Sequence, residues 1–402
     1  MQFNSLEFLF IFLPVAIILA LIPGNKLRNI ILLLLSFIFY AWSGVSASLI
    51  LIISIVLNYF SGIIIYKNEG KKSAKKIMIV AVIANILLLA YFKYFTFLLT
   101  NIYDLEVLIG SSTFIIKKVI PPLGISFFTF CGIAYLIDVS RGTSKAERNF
   151  IRFALFLSFF PRIFAGPIVR YKDTIGQITG RRVTLENFSK GIERFIIGLG
   201  KKVLIADSFS LIADKVFSLP SGELTFYYAW IGIISYSFQI YLDFSGYSDM
   251  AIGLGKMFGF NIPENFNLPY IARSVQEFWQ RWHITLSNWL RDYLFTPLVI
   301  RNRYRGKPGI AISILITFGI CGLWHNAGWN FIVWGLFHGV FLTLENIGFG
   351  AILKKLWKPL QHFYLIIVIM FGWVFFRSPD LTYALDYCAA LLNISFASIS
   401  PP

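Results

Sequence analysis

The chain has 402 residues, of which 57% are hydrophobic and 14% charged, and its formal net charge at pH 7 is +16. That charged fraction lies well below the roughly 25% of a soluble domain, so the composition excludes an ordinary soluble enzyme. Basic residues cluster in short loops between apolar runs, which favours positive-inside topology over nucleic-acid binding. We therefore predict an all-α polytopic membrane protein, with residues 1–402 forming a single integral membrane domain in the lipid bilayer and no nucleic-acid partner.

The first third of the chain contains regularly spaced apolar runs. The run nearest the N-terminus lacks a basic leader and a cleavage site, so we expect it to be a retained span. The loops after the first, third and fifth runs are rich in lysine and arginine, whereas those after the second and fourth hold only Lys117 and Lys118. This one-sided distribution predicts an N-terminus outside the cell. The predicted spans are 6–22, 30–44, 47–66, 77–100 and 119–138.

The rest of the chain is less regular. Residues 151–220 include an apolar segment broken by prolines and glycine, which indicates re-entrant or interfacial helices. A span is predicted at 226–244, and the Trp-, Arg- and His-rich stretch 271–295 is typical of an amphipathic helix lying at the interface. Three further spans are predicted at 310–323, 331–347 and 364–376.

One of the four histidines lies between two apolar runs. His325 belongs to LWHNAGW and is followed by Asn326. Ionisable residues at membrane depth are rare and are candidates for function by default. A neutral imidazole bonded to a neighbouring helix is the alternative. His338, beside Gly339, is more typical of a packing residue, and His362 of an interfacial one.

His283 lies in the stretch FWQRWHITLSNWLRDYL. On a continuous helix Phe278, Trp282, Thr285 and Trp289 would share one side, with His283 at the border of the apolar face. A tryptophan-anchored interfacial helix explains the tryptophans. It does not explain a histidine at a position where lysine or arginine would reach the aqueous boundary more easily.

The segment QIYLDFSGYSDMAIG places carboxylates beside an apolar run. Asp243 and Asp249 could each hydrogen-bond a substrate or bind a cation, but helix capping around a turn at Gly246 explains them as well, and we favour capping and packing. Two histidines on separate segments are too few for a metal site unless carboxylates join them, so no metal is predicted. The three cysteines lack the spacing of a zinc site or a disulfide framework.

Several long sequence blocks occur in the order expected for a known family. They are PPLGISFFTFCGIAYLIDVSRG, FFPRIFAGPIVRY, YLDFSGYSDMAIGLGKMFGF, ENFNLPYIARSVQEFWQRWHITLSNWLRDYLFTPL, GLWHNAGWNFIVWGLFHG and GWVFFRSPDL. Over residues 5–390 the chain resembles the membrane-bound O-acyltransferase (MBOAT) family. It is most similar to the branch of alginate and peptidoglycan O-acetyltransferase membrane subunits, and more distantly to the D-alanyl transferase of teichoic acids.

The resemblance implies a multi-helix bundle around a central funnel in the bacterial inner membrane. His325 stands at the family's catalytic position, and His283 matches its second histidine. The implied acyl donor is a thioester used on the cytoplasmic side, expected to be acetyl-CoA, with no tightly bound cofactor. The implied partner is an extracytoplasmic acyltransferase protein that completes O-acylation of a cell-envelope polysaccharide such as alginate, peptidoglycan or cellulose.

The chemistry of the residues is compatible with that role. Acyl transfer from a thioester needs a nucleophile, a base and hydrogen-bond donors for the oxyanion. A histidine in a low-dielectric pocket is disfavoured as imidazolium, so we expect His325 to deprotonate the acceptor, while His283 orients or polarises the acyl donor or acceptor. Aromatic walls would exclude water from the thioester. The predicted tunnel and substrate residues are Trp324, Trp329, Trp282, Asn326 and Asp243.

Some features depart from the family pattern or allow another interpretation. Asn326 stands where this branch usually has glycine, and it would crowd the tunnel or add a donor. The chain ends at Pro402, where relatives generally continue with apolar helices, so we expect a short member or an incomplete one. Basic residues such as Arg162 and Arg181 could attract coenzyme A phosphates, although positive-inside topology explains them better. The alternative function is a non-catalytic transporter or assembly scaffold, which would not need both His283 and His325.

Overall fold

A computed structural model of the chain describes residues 1–20, 24–109 and 118–394. These residues form helices joined by turns, and no strand occurs among them. They divide into two compact units. The first comprises Met1–Leu199 and Tyr247–Glu264, and the second comprises Gly200–Gly246 and the chain from Asn265 onward.

Apolar helices make up most of the first unit. Two of them, Val45–Lys67 and Lys72–Leu108, are long and apolar enough to cross a membrane. The side chains of Asn58 and Asn85 hydrogen-bond each other between these two helices, which satisfies amides that would otherwise be unpaired in an apolar setting. In chain order the helices are α1 Phe8–Ala20, α2 Asn25–Ala41, α3 Val45–Lys67, α4 Lys72–Leu108, α5 Ile125–Ser140, α6 Phe150–Ser158, α7 Tyr171–Gly180 and α8 Leu185–Gly200.

The predicted spans of this unit agree with its helices except at their ends. The predictions 47–66 and 77–100 lie inside α3 and α4. The first predicted span overlaps α1, and its last two residues lie outside the described residues. The prediction 119–138 begins too early, since α5 starts at Ile125. Two prolines without N–H groups and Gly124, whose φ is 76°, precede that start.

The helical structure in the middle of the chain is broken over a shorter stretch than predicted. Residues 159–170 are non-helical, as the prolines and glycine of FFPRIFAGP indicate. From residue 185 the chain is continuously helical to residue 217, because a π-helical turn, Lys201–Ala206, joins α8 to the next helix. Within 151–220 the breaks therefore lie before α8, and the second half is one long helix.

The second unit carries most of the conspicuous sequence motifs. Its apolar segments Ile284–His325, Trp329–Leu353 and Lys358–Arg377 are candidates for crossing a membrane, in agreement with the spans predicted at 310–323, 331–347 and 364–376. The helices of this unit are α9 Asp207–Phe217, α10 Phe226–Met257, α11 Val275–Arg281, α12 Ile284–Leu290, α13 Thr296–Asn302, α14 Gly306–His325, α15 Trp329–Leu344, α16 Gly350–Leu353, α17 Lys358–Arg377 and α18 Leu381–Leu391. The part of α10 from Tyr247 onward belongs to the first unit.

Helix α10 corrects two predictions. The predicted span 226–244 lies inside this helix, but the turn predicted at Gly246 is wrong, because the helix continues to Met257. Its glycines are packing positions: a side chain at Gly253 would meet the backbone of α8 at Gly191. Capping is therefore the wrong interpretation of the carboxylates in this segment.

Helices α14 and α15 form a closely packed hairpin. A Cβ atom added to Gly322 would collide with the carbonyl oxygen of Phe331 and lie 3.1 Å from the Cα atom of Gly335. Such glycine-to-glycine contacts let two helix backbones approach closely. The hairpin fixes the end of α14, where His325 is the last helical residue.

Candidate active site

The stretch predicted as one interfacial helix, 271–295, is interrupted at His283. Helix α11 ends at Arg281, His283 has φ 43° and ψ 53° in the left-handed region, and α12 begins at Ile284. The side-chain stripe expected on a continuous helix is therefore wrong. The break places His283 at the N-cap position of α12 instead of on the border of an apolar face.

Asn265 bonds the start of α12 and the ring of His283. Its backbone carbonyl accepts a hydrogen bond from Ile284 N at 2.9 Å. Its side-chain Oδ1 accepts from Thr285 N at 3.2 Å and from Thr285 Oγ1 at 2.9 Å. Asn265 is fully buried, so these bonds are shielded from water. The partner lies 18 residues before His283, and the local pattern around the histidine therefore does not reveal the break.

His283 itself is almost completely enclosed. The residue is 2% exposed. Its Nδ1 lies 3.1 Å from Asn265 Oδ1, and its ring makes a T-shaped contact with Phe244, with the ring centroids 4.7 Å apart. Burial lowers the pKa of His283, just before the apolar segment that begins at Ile284, to about 3. The imidazole is therefore neutral at physiological pH.

His325 lies in an aromatic cage at the end of α14 and is half-buried. The cage is formed by Trp324, Trp334 and Phe376, whose ring centroids lie 4.7, 4.9 and 5.1 Å from that of His325. All three rings stand steeply to the imidazole, the arrangement that aromatic pairs favour. Trp324 also lies 6.5 Å from His283, so the two predicted catalytic histidines contact the same indole.

Two predicted tunnel residues are buried aromatics. Trp324 contacts both histidines, as described above. Trp282 is 4% exposed, stacks on Phe278 with centroids 5.5 Å apart and lies 4.9 Å from Trp373. These contacts place both tryptophans in the aromatic interior of the second unit.

The other predicted substrate residues lie elsewhere on the unit's surface. Asn326 is exposed, and its Oδ1 accepts a hydrogen bond from Ala327 N at 2.9 Å. Trp329 is 56% exposed at the start of α15. Asp243 is half-buried and pairs with Lys202 at 2.7 Å.

Sequence reasoning missed three residues of this region. Asn265 lies in the quoted block ENFNLPY, but no local pattern connects it to His283. Trp334 and Phe376 contact His325 from α15 and α17, and only the packing of those helices reveals it. Trp334 is fully buried.

The remaining histidines have different surroundings. His338 is fully buried, its ring lies 5.1 Å from Trp334, and neither of its ring nitrogens has a hydrogen bond within the described residues. His362 is half-buried, and its Nδ1 lies 3.0 Å from the carbonyl oxygen of Ala272, to which it donates.

A cavity of about 330 Å³ lies among α11, α12 and α14. Its wall is apolar at Ile314 and Phe318, while Gln280 and Asn288 contribute amides. Cys321 also lines the cavity, four residues before His325 on α14. Four residues are about one helical turn, so the Cα atoms of Cys321 and His325 lie about 6 Å apart along the helix axis.

The arginines considered for phosphate binding are used in packing within the first unit. Arg162 is 6% exposed, donates to Cys131 Sγ at 3.3 Å and lies over the ring of Phe156. Arg181 is 5% exposed and donates to the carbonyl oxygen of Phe258 at 3.0 Å. These contacts do not support a role for either residue in binding coenzyme A.

Comparison with known proteins finds acyl-transfer proteins that match most of the chain. The model of the MBOAT, membrane-bound O-acyltransferase family, matches residues 37–384. The probable alginate O-acetylase AlgI of Pseudomonas aeruginosa is 41% identical over 100% of this chain and 76% of its own length. The peptidoglycan O-acetyltransferase of Helicobacter pylori is 38% identical over 99% of this chain and 81% of its own length. The teichoic acid D-alanyltransferase of Bacillus subtilis is 32% identical, over 63% of this chain and 67% of its own length.

Proposed function

This chain belongs to the membrane-bound O-acyltransferase family, and from that premise we propose that it moves an acetyl or similar small acyl group from a cytoplasmic thioester across the membrane for O-acylation of an extracytoplasmic polysaccharide. Family membership and its apolar helices make it a multi-pass membrane acyltransferase. The observation that carries the proposed chemistry is the contact of Trp324 with both His283 and His325.

In the proposed reaction an acceptor hydroxyl oxygen attacks the carbonyl carbon of the thioester. His325 takes the hydroxyl proton as the C–O bond forms, the C–S bond breaks, and the imidazolium returns the proton to the departing thiolate. The products are an ester and a free thiol. Half-burial leaves His325 reachable, while the aromatic cage limits the water that would hydrolyse the thioester.

We propose acetyl-CoA as the donor and the cavity beside α14 as the place of its thioester arm. A volume of about 330 Å³ is within the usual range of small-molecule sites. Gln280 and Asn288 offer amides that match the amide groups of such an arm. Cys321 lines the cavity one helical turn before His325, which supports delivery of the acyl group to that histidine.

The proposed reaction takes place in the inner membrane with the N-terminus outside. The names of the alginate and peptidoglycan relatives support an envelope polysaccharide as the final acceptor. We propose that a separate extracytoplasmic acyltransferase partner passes the acyl group to it. Cysteine labelling tests the topology: Gly70→Cys should react from the cytoplasmic side and Gly110→Cys from the opposite side. Reaction of both cysteines from one side would overturn it.

The donor and the role of His325 are tested together in sealed vesicles whose cytoplasmic face points outward. Labelled acetyl-CoA is added outside, with the partner protein and polysaccharide enclosed. We expect label on the enclosed polysaccharide and a loss of at least roughly 100-fold in His325→Ala, since general-base catalysis contributes about 10²–10⁴-fold. Transfer at the wild-type rate by the variant would remove the catalytic assignment and favour a carrier or scaffold function.

A further inference from the structure

The hydrogen bonds of Asn265 identify which nitrogen of His283 carries the proton. The backbone N–H of Thr285 can only donate, so its bond to the Asn265 side chain marks the acceptor atom there as the amide oxygen, Oδ1. The Thr285 hydroxyl lies 2.9 Å from the same atom. An amide oxygen cannot donate, and the His283 Nδ1 that lies 3.1 Å from it must therefore be the protonated nitrogen.

We infer that Asn265 is a positioning residue that holds His283 as the Nδ1–H tautomer, so that Nε2 accepts a hydrogen bond from the hydroxyl group of the acyl acceptor. This inference rests on the proposed function, because it assigns a substrate to one histidine of that site. A neutral imidazole has one donor and one acceptor nitrogen, and the donor is already occupied by Asn265. The low pKa of His283 excludes a second proton at neutral pH.

The chemistry of the two substrates decides which one His283 faces. The reacting end of an acetyl thioester consists of a methyl group, a carbonyl and a sulfur, and none of them carries an N–H or O–H. A hydrogen-bond acceptor beside the reacting atoms can therefore be matched only by the acceptor's hydroxyl. In this tautomer neutral His283 does not polarise the thioester carbonyl, so of the two expected roles it takes the one on the acceptor side.

The two histidines then have different roles toward one hydroxyl group: His283 orients it and His325 takes its proton. Before the reaction, the single hydroxyl proton is hydrogen-bonded to His283 Nε2, which holds the hydroxyl oxygen beside the thioester carbon. As the C–O bond forms, the same O–H turns away from His283 and its proton passes to His325, because an imidazolium is better solvated at half-buried His325 than at His283, which is 2% exposed. His325 then protonates the thiolate, so the proton balance of the reaction is unchanged.

The backbone of His283 supports a functional constraint. A non-glycine residue in the left-handed region costs free energy and persists where its surroundings over-determine it. Here Asn265 fixes one ring nitrogen, and Phe244 stands at 88° to the ring. Together the two contacts fix the plane of the imidazole, and the hydrogen bond also fixes its tautomer.

Nitrogen NMR of the wild-type protein tests the tautomer directly. The chain has four histidines, so ¹⁵N-histidine labelling gives few signals, and His283→Gln identifies the one to follow. We expect a protonated Nδ1 and a bare Nε2 for His283 at neutral pH. A proton on Nε2, or exchange between the two tautomers, would overturn the inference whether or not the protein transfers acetyl groups.

Kinetics of Asn265 variants test the consequence. Asn265→Leu removes the acceptor at similar volume and should lower kcat/KM for the acyl acceptor roughly 10- to 100-fold, the range for residues that orient functional histidines, with KM for acetyl-CoA unchanged. Asn265→Asp keeps an acceptor and should restore the tautomer and most of the activity. Thr285→Val is the control, because it removes a hydrogen bond to Asn265 and leaves His283 in contact with it.

The outcomes separate this inference from the proposed function. An equal effect of Asn265→Leu on donor and acceptor, or an unchanged tautomer in that variant, would overturn the positioning role. If Asn265→Leu fails to fold, the tautomer in the wild type and in Asn265→Asp decides. Acyl transfer at the wild-type rate by His325→Ala would overturn the assignment of His325 as the base. It would not change the tautomer of His283 that NMR measures.

Discussion

The two histidines of the site are held in opposite ways. His283 is 2% exposed and is fixed by a hydrogen bond that its Nδ1 donates to Asn265, in a left-handed turn between two short helices. His325 is half-buried at the end of a 20-residue helix and is fixed by aromatic packing. Hydrogen bonding sets a tautomer and a direction, whereas packing with partial exposure leaves a ring accessible to a substrate. The same residue type therefore suits two different roles.

The packing that holds His325 can be broken without touching His283. In Gly322→Ala the added methyl group would collide with Phe331 in the α14–α15 hairpin, so the helices must separate. We expect transfer to fall roughly 100-fold, because small displacements of a catalytic group cost about that much. The measurement is the acetyl-transfer rate, with thermal unfolding followed in the same samples.

Gly319→Ala is the matched control on the same helix. Its added methyl group would lie 3.5 Å from the Leu336 side chain, which is ordinary contact, so activity and stability should stay near wild type. Equal losses in both variants would show that the close approach at Gly322 is not what positions His325.

Filling the cavity should affect the donor alone. Ile314 lines the cavity and Ile316, two residues on, is 40% exposed and is not part of its lining. Ile314→Trp should lower kcat/KM for acetyl-CoA roughly tenfold, equivalent to about 1.4 kcal/mol of lost transition-state binding, with Ile316→Trp as the control. A loss confined to the acyl acceptor would instead place the cavity on the His283 side of the reaction.

The smallest effect is expected at Asn326, the motif residue that departs from the family pattern. Its side-chain oxygen bonds the next residue in its own turn, and its φ of −157° is accessible to any residue. Asn326→Gly should therefore change transfer by no more than about threefold, since surface substitutions are usually within roughly 0.5 kcal/mol. A larger gain or loss in kcat would mean that the amide reaches the substrate near His325.

The apolar helices were largely predictable from the sequence. The span predicted at 47–66 becomes α3, Val45–Lys67, because a long apolar run has no other way to satisfy its backbone in a membrane. Glycine-rich α10 was harder to predict, since Gly246 and Gly253 resemble turn signals but lie inside the helix, and Gly253 packs against α8. Local composition cannot distinguish a glycine needed for a turn from one needed for close packing.

The candidate site was predictable only in part. Family motifs identified His283 and His325, but the break at His283 depends on Asn265, far away in the sequence. The cage around His325 likewise needs Trp334 and Phe376 from two other helices. Hydrogen bonds and ring contacts between distant segments leave no periodic pattern in a single sequence.

A single-turnover comparison of three histidine variants tests the division of roles most directly. At saturating acetyl-CoA and acceptor, His325→Ala should slow acyl transfer at least roughly 100-fold. With one substrate varied at a time below saturation, His283→Ala should lower kcat/KM for the acceptor more than for the donor. His362→Ala, whose ring bonds a backbone carbonyl away from the cage, should match wild type. Wild-type transfer by His325→Ala, together with complete loss in His283→Ala, would contradict the assignment of His325 as the base.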